Sequence, residues 1–159
     1  MTETQNNDKN NQKTNVINDQ SKKVLGGILQ NAEMARHSTC TVVKYAKDSD
    51  FINTLNSQID KYDEYIKEAK DLAKKHEITP EKPSGISKFF VEKSIKMRFA
   101  FGTTDSKIAE MMIKGTAMGI VDVGKLLSRA DLVCEDCTCL AKNLLTLEED
   151  KINVLKYYL

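Results

Sequence analysis

The stretch TPEKPSGISKFFVEKSIKMRFAFGTTDS (79–106) decides how this chain folds. Both prolines of the sequence, Pro80 and Pro83, stand at its start, in TPEKPSG (79–85), and mark the main break in a chain otherwise poor in breakers. Beyond the prolines the spacing predicts a short helix from about Ile86 to Phe101. GTTDS (102–106) ends that helix and caps the next one. A helix of about 16 residues spans roughly 24 Å. That is most of the length of a helical bundle, enough to carry the chain from one end back to the other. The long helices on either side of it can then run parallel.

Two helical patterns precede the crossover. The first runs from about Lys22 to Lys47 with Val24, Ile28, Ala32, Ala35, Thr39, Val42 and Ala46 on one face. The second comes after DSD (48–50), a good N-cap sequence, and places Ile52, Leu55, Ile59, Tyr62, Ile66, Ala69 and Ala73 at alternating three- and four-residue spacing. The link between them is short, so they pair antiparallel. Beyond the crossover, about Asp105 to Ser128 includes KIAEMMIKGTAMGIVDVGKLL, apolar over most of its circumference and expected to be the most buried element. Its core face is read through Met111, Gly115 and Met118, with Asp122 at the edge. A short join near RADLV (129–133) leads to a last helix, about Glu135 to Tyr158, antiparallel to its predecessor. Nothing alternates apolar and polar as a sheet would. The expected fold is all-α: a ferritin-like four-helix bundle with a short helical crossover between helices two and three.

Residues 22–159, and most closely SKIAEMMIKGTAMGIVDVGKLL (106–127) with LLTLEEDKINVLKYYL (144–159), resemble a family of small uncharacterised ferritin-like helical proteins of low-GC Gram-positive bacteria. A composition rich in Lys, Asn and Ile fits such a source. The matching motifs are packing motifs, so the resemblance implies a fold and brings no activity with it.

Composition narrows the rest. The 159 residues amount to one domain, and 24 Lys+Arg against 23 Asp+Glu leave no global field that would attract nucleic acid. Residues 1–21 are mostly Asn, Gln, Lys, Asp and Thr, and are expected to be a disordered tail before a single bundle domain over 22–159. The tail holds no apolar signal core and no run of about eighteen apolar residues occurs, so a cytoplasmic protein is expected. There the four cysteines are first free thiols, second metal ligands and third a disulfide.

Ferritin-like di-metal centres need Glu-x-x-His on two helices. Met34 precedes His37 by three residues and Ala73 precedes His76, so both tests fail. Glu33 and His37 read as a solvated pair one turn apart. Two carboxylates look inward or nearly so, Glu148 and Asp122. A buried carboxylate needs a hydrogen-bond partner or a proton, for which Thr39, Thr116, Lys151 or a tyrosine hydroxyl would serve. Cys134-x-x-Cys137-x-Cys139 has a spacing that thiolate metal sites use, yet three ligands do not close a zinc site, and the crossover puts Cys40 at the far end of the bundle. Helical spacing turns Cys137 to the core and Cys139 away from it. Glu135 and Asp136 oppose the helix terminus in setting thiol acidity.

The crossover helix is amphipathic and basic, with Phe89, Phe90, Phe99 and Phe101 expected on its own bundle, and Gly115 with Gly119 gives a spacing that admits a close neighbour. No phosphate loop and no catalytic Ser or Cys pairing is legible, so the expectation leans away from an enzyme. The leading expectation is a structural or interaction module, self-associating or bound to a protein partner, with no resident cofactor. The alternative is a metal-binding (zinc or iron) or thiol-redox protein using Cys134, Cys137 and Cys139, or a degenerate site of Asp122 and Glu148. A third is a protein docking on a membrane surface or partner through residues 86–101.

Overall fold

Past the first, each helix begins where a side chain accepts from a free backbone N–H. In the computed structural model, which describes residues 3–82, 87–128 and 133–159 with side chains from residue 18 onward, the helices are α1 (Glu3–Val42), α2 (Ser49–Lys75), α3 (Lys88–Phe99), α4 (Asp105–Leu127) and α5 (Glu135–Leu155). Among the described residues two 3₁₀ turns, Val43–Tyr45 and Lys156–Tyr158, accompany the helices and no strand occurs. The protein is all-α. Asp48 caps α2 by accepting from the Phe51 N–H (2.8 Å), Ser87 caps α3, and Thr104 caps α4. The α5 cap is unusual: the Sγ of Cys134 accepts from the Cys137 N–H at 3.2 Å. The Ile86 start of the crossover helix and most of the join near RADLV lie outside the described residues.

Long-range contacts fix the helix directions. The Asp105 carboxylate at the start of α4 accepts from the backbone N–H groups of Lys47 and Asp48, both at 2.9 Å, just past the end of α1. At the other end of the same pair Gly27 meets Leu126, so α1 and α4 are antiparallel. Helix α5 starts beside the packed part of α1, where the Cys134 N–H donates to the Ser21 hydroxyl (3.1 Å). Against α2 it pairs Asp136 with Lys75, Glu148 with Tyr62 and Tyr158 with Thr54, an antiparallel register. Consequently α5 runs with α1, and α4 runs with α2. Helix α3 makes this possible by climbing alongside α1, with Lys88 on Glu33 (2.7 Å), Glu92 near His37 (3.4 Å) and Phe99 edge-on to Tyr45.

Two apolar clusters fill the interior. One holds Val24, Leu25, Ile28, Ala32, Tyr62, Ala69, Val123, Cys137, Leu140 and Leu144; the other holds Val42, Phe51, Leu55, Ile95, Phe99, Ile108, Met112 and Leu155. Along every long helix a buried polar residue separates the two. Thr39 lies between Ala32 and Val42, Gln58 between Leu55 and Tyr62, Thr116 between Met112 and Val123, and Glu148 and Lys151 between Leu144 and Leu155. The core is two apolar halves with a polar layer between them.

Four expectations change. Helix α1 begins at Glu3, inside the stretch expected to be a tail. The costly helix nucleus is supplied by the packed part of α1, from which each further residue adds a hydrogen bond. Among the side chains described, from residue 18 onward, Asn18 and Asp19 are exposed and Ser21 is the first that is buried. Second, the core face of α4 is Ile108, Ala109, Met112, Thr116 and Val123, turned one residue from the face read in the sequence. Met118 and Val121 point outward, so α4 is not the most buried helix. Third, only Phe99 of the crossover phenylalanines is buried; Phe89, Phe90 and Phe101 are exposed, and Ile95 does the packing. Fourth, Gly115 faces open space, while the close approaches are Gly119 to Asn31 and Gly26 to the Glu81 backbone.

A methyl group on Gly26 would sit 1.8 Å from the Glu81 carbonyl oxygen, which belongs to rigid backbone. Gly26→Ala should therefore cost about 1–3 kcal/mol despite its better helix propensity. Gly115→Ala and Gly124→Ala, both with nothing within 4 Å, should each gain about 0.5–1 kcal/mol. Urea unfolding of the three variants checks the contrast, and a neutral Gly26→Ala would contradict this packing.

Candidate functional site

Two places carry chemistry beyond packing. The first is the entry to α5. Cys134 and Cys137 are joined by a disulfide across the first turn of the helix. Cys137 is fully buried among Leu140, Leu144 and their neighbours, whereas Cys134 is half-buried and serves as the cap. Cys139, two residues on, is an exposed free thiol with only the Asn143 amide within reach (3.8 Å). Cys40 is also free, and lies about 28 Å along α1 from Ser21, the residue that touches Cys134.

Of the two acidic residues beside the pair, Glu135 is exposed and Asp136 is bonded to the end of α2. Asp136 accepts from Lys75 Nζ at 2.7 Å and lies 2.9 Å from His76 Nε2, both at the end of α2. These bonds, Lys75 first and His76 second, hold the Asp136 carboxyl below its ordinary range. The local field at the disulfide thus combines the positive end of the helix with a carboxylate already matched by Lys75.

The second place is the polar layer. Tyr62 of α2 reaches across to α5, where its hydroxyl lies 2.8 and 2.9 Å from the two oxygens of Glu148. The same hydroxyl accepts from Lys151 Nζ at 2.8 Å. Glu148 is 1% exposed and Lys151 6%, so water does little to solvate either charge. Burial pushes the Glu148 carboxyl above its ordinary value, against the pull of Lys151 and the Tyr62 bond. It pushes Lys151 down to about 8, with Glu148 opposing. The Tyr62 hydroxyl is pushed up, by burial first and by Glu148 second, and stays protonated. A cavity of about 390 Å³ between α2 and α5 is lined by Ser57, Gln58, Lys61, Tyr62 and Lys151, among others. Gln58, 8% exposed, has a buried Oε1 with no partner.

The inward orientation of Glu148 and its tyrosine partner match the sequence reading, with Lys151 joined to it through the Tyr62 hydroxyl. Asp122 does not: its side chain is 72% exposed and pairs with Lys125 at 3.6 Å, because the core face of α4 is turned away from it. Cys134, Cys137, Cys139, Asp122 and Glu148 are not brought together, and among the described residues no three His, Cys, Asp or Glu side chains gather where they would hold a metal ion. Glu33 and His37 do not meet as a pair either; Glu33 takes Lys88 and Lys70, and His37 faces Glu92. Gln58 was missed, although it lies three residues after Leu55 and four before Tyr62, on the packing seam itself.

Compared with protein-family models, characterised proteins and solved structures, the chain matches none of them.

The Tyr62–Glu148–Lys151 cluster has a signed pH dependence. Because the folded Glu148 value is raised, its contribution falls as pH climbs from the ordinary carboxyl value through the folded one. Because Lys151 is lowered to about 8, stability returns as pH rises from there to the ordinary lysine value of 10.5. The paired replacement Glu148→Leu with Lys151→Met should therefore be at least as stable as the parent near neutral pH, with the difference shrinking toward both acid and alkali. Tyr62→Phe alone, which strands two charges, should lose about 1–3 kcal/mol. Urea titrations at three pH values decide both.

Proposed function

We propose that this chain is a thiol–disulfide protein, a helical bundle of ferritin-like connectivity whose Cys134–Cys137 pair exchanges two electrons with thiols. The connectivity is supported by the helix directions: α3 returns the chain along α1, so that α2 and α4 run together and α1 and α5 run together. The redox reading rests on one observation, the disulfide between cysteines three residues apart at the first turn of α5.

A bond between such near neighbours is a poor staple. Closing so small a loop contributes only about 2 kcal/mol on the chain-entropy account. Its surroundings suit exchange better. Cys134 is the reachable sulfur and Cys137 the buried one. An incoming thiolate attacks Cys134, forming a new sulfur–sulfur bond while the old bonding pair leaves with Cys137 as thiolate. A second thiol then attacks the mixed disulfide and releases Cys134, so that two thiols are oxidised for one disulfide reduced. The Cys137 N–H and the helix terminus favour the released Cys134 thiolate.

A second reading, an interaction module, is favoured by the apolar surface of α3 and its exit. Phe89, Phe90, Met97 and Phe101 are exposed there beside Lys93, Lys96 and Arg98. The two readings are compatible, since this surface lies on α3 and the disulfide on α5.

The test is a redox titration of the full chain against glutathione and dithiothreitol buffers, read by alkylation and intact mass. The expected midpoint falls above about −270 mV, within the range of exchanging dithiols. Reduction should lower the melting temperature by only about 4–8 °C. Cys139→Ser should leave the midpoint unchanged. A pair that stays oxidised below about −300 mV would mark a structural bond and overturn the proposal.

A further inference from the structure

The polar layer does more than tolerate a buried lysine, and its chemistry is independent of the disulfide. We infer that Lys151 is a reactive amine that forms a Schiff base with a small hydroxylated aldehyde or ketone bound in the cavity between α2 and α5. Three features of the geometry carry this. Lys151 is among the residues that line a cavity of about 390 Å³, room for a small metabolite, and is itself only 6% exposed. Its amine is hydrogen-bonded to a hydroxyl that is itself bonded to a carboxylate, an unbroken line from Lys151 Nζ through Tyr62 Oη to Glu148. Finally, Gln58 offers a buried acceptor without a donor on the same cavity wall, which a ligand hydroxyl would satisfy.

The line of hydrogen bonds is a proton relay. As Lys151 passes a proton to Tyr62, Tyr62 passes its own to Glu148, leaving a neutral amine, an unchanged phenol and a carboxylic acid. Burial moves both groups toward their neutral forms, Glu148 upward and Lys151 downward. An amine titrating near 8 holds an about two-hundred-fold larger neutral share at pH 7.5 than an ordinary lysine. The lone pair of Nζ then attacks the carbonyl carbon, and the proton held by Glu148 returns through Tyr62 to the carbonyl oxygen, giving a carbinolamine. Loss of that hydroxyl with a proton from nitrogen leaves the imine and one water. No electrons are exchanged. Lys61 and Asp150 also line the cavity, where they add charge of both signs and so do not select an anionic substrate.

The experiment uses the full chain, glyceraldehyde as probe and cyanoborohydride to reduce the imine, with sites mapped by peptide mass at short times. Lys151 should take label at least about ten-fold faster than exposed lysines such as Lys61 and Lys142. Tyr62→Phe should slow Lys151 labelling by about ten-fold or more with helix content unchanged. Gln58→Leu, which leaves the relay intact and guards against a variant that fails to fold, should raise the glyceraldehyde concentration for half-maximal rate without changing the maximal rate. Labelling of Lys151 no faster than that of Lys61, or only after denaturation, would overturn the inference.

Discussion

The Asp105 carboxylate holds the link between α1 and α2 against the first turn of α4, accepting two backbone N–H groups from Lys47 and Asp48. That contact fixes α4 antiparallel to α1, and every other placement depends on it. With α2 already turned back from α1, the chain must be carried along the length of the bundle before α4 can begin, and α3 does so. The direction of α5 is then set by α4. Residue 134 arrives beside Ser21 and the end of α2, where Lys75 and His76 meet Asp136, while Glu148 arrives opposite Tyr62. Reversing α4 would separate both groups.

The polar layer is the second consequence. A uniformly apolar interior would allow the helices to slide by a turn at small cost, because one leucine packs much like the next. Burying Glu148 and Lys151 costs several kcal/mol of desolvation, which only the register that delivers the Tyr62 hydroxyl offsets. The layer contributes little net stability and strongly selects one alignment of α2 against α5. It also leaves a lysine and a carboxylate in one hydrogen-bonded line, in surroundings that move both toward their neutral forms.

Much of this was legible in the residues. Helix number, the Asp48 cap and most of the α2 seam come from spacing and capping chemistry, and the inward turn of Glu148 comes from its place among Ala141, Leu144 and Leu155. The face of α4 was not legible. Its sequence is apolar nearly all round, so periodicity gives no contrast between Met111 and Met112, and Asp122 was carried to the wrong side with that face. The exposure of Phe89, Phe90 and Phe101 was hidden for the opposite reason: aromatic side chains are usually core, and only the position of Ile95 and Phe99 against the bundle shows which face of α3 is used. For the cysteines, spacing separated buried Cys137 from exposed Cys139, as found. The bond to Cys134 depends on the cap geometry at residue 134, where the chain leaves the helix and swings one sulfur back over the first turn.

The two free cysteines are natural reporters of the whole arrangement. With Cys134 and Cys137 bonded, a thiol-specific spin label on the unreduced protein reaches only Cys40 and Cys139. A pulsed dipolar measurement on that sample tests the helix directions and the disulfide together. The arrangement described here requires two labels per chain and a distance of about 25 Å or more, since Cys40 lies near one end of α1 and Cys139 near the opposite end of the bundle. Four labels per chain would remove the disulfide. A distance under about 15 Å would place the start of α5 beside the end of α1, the geometry of a simple up-and-down bundle, and would contradict the fold.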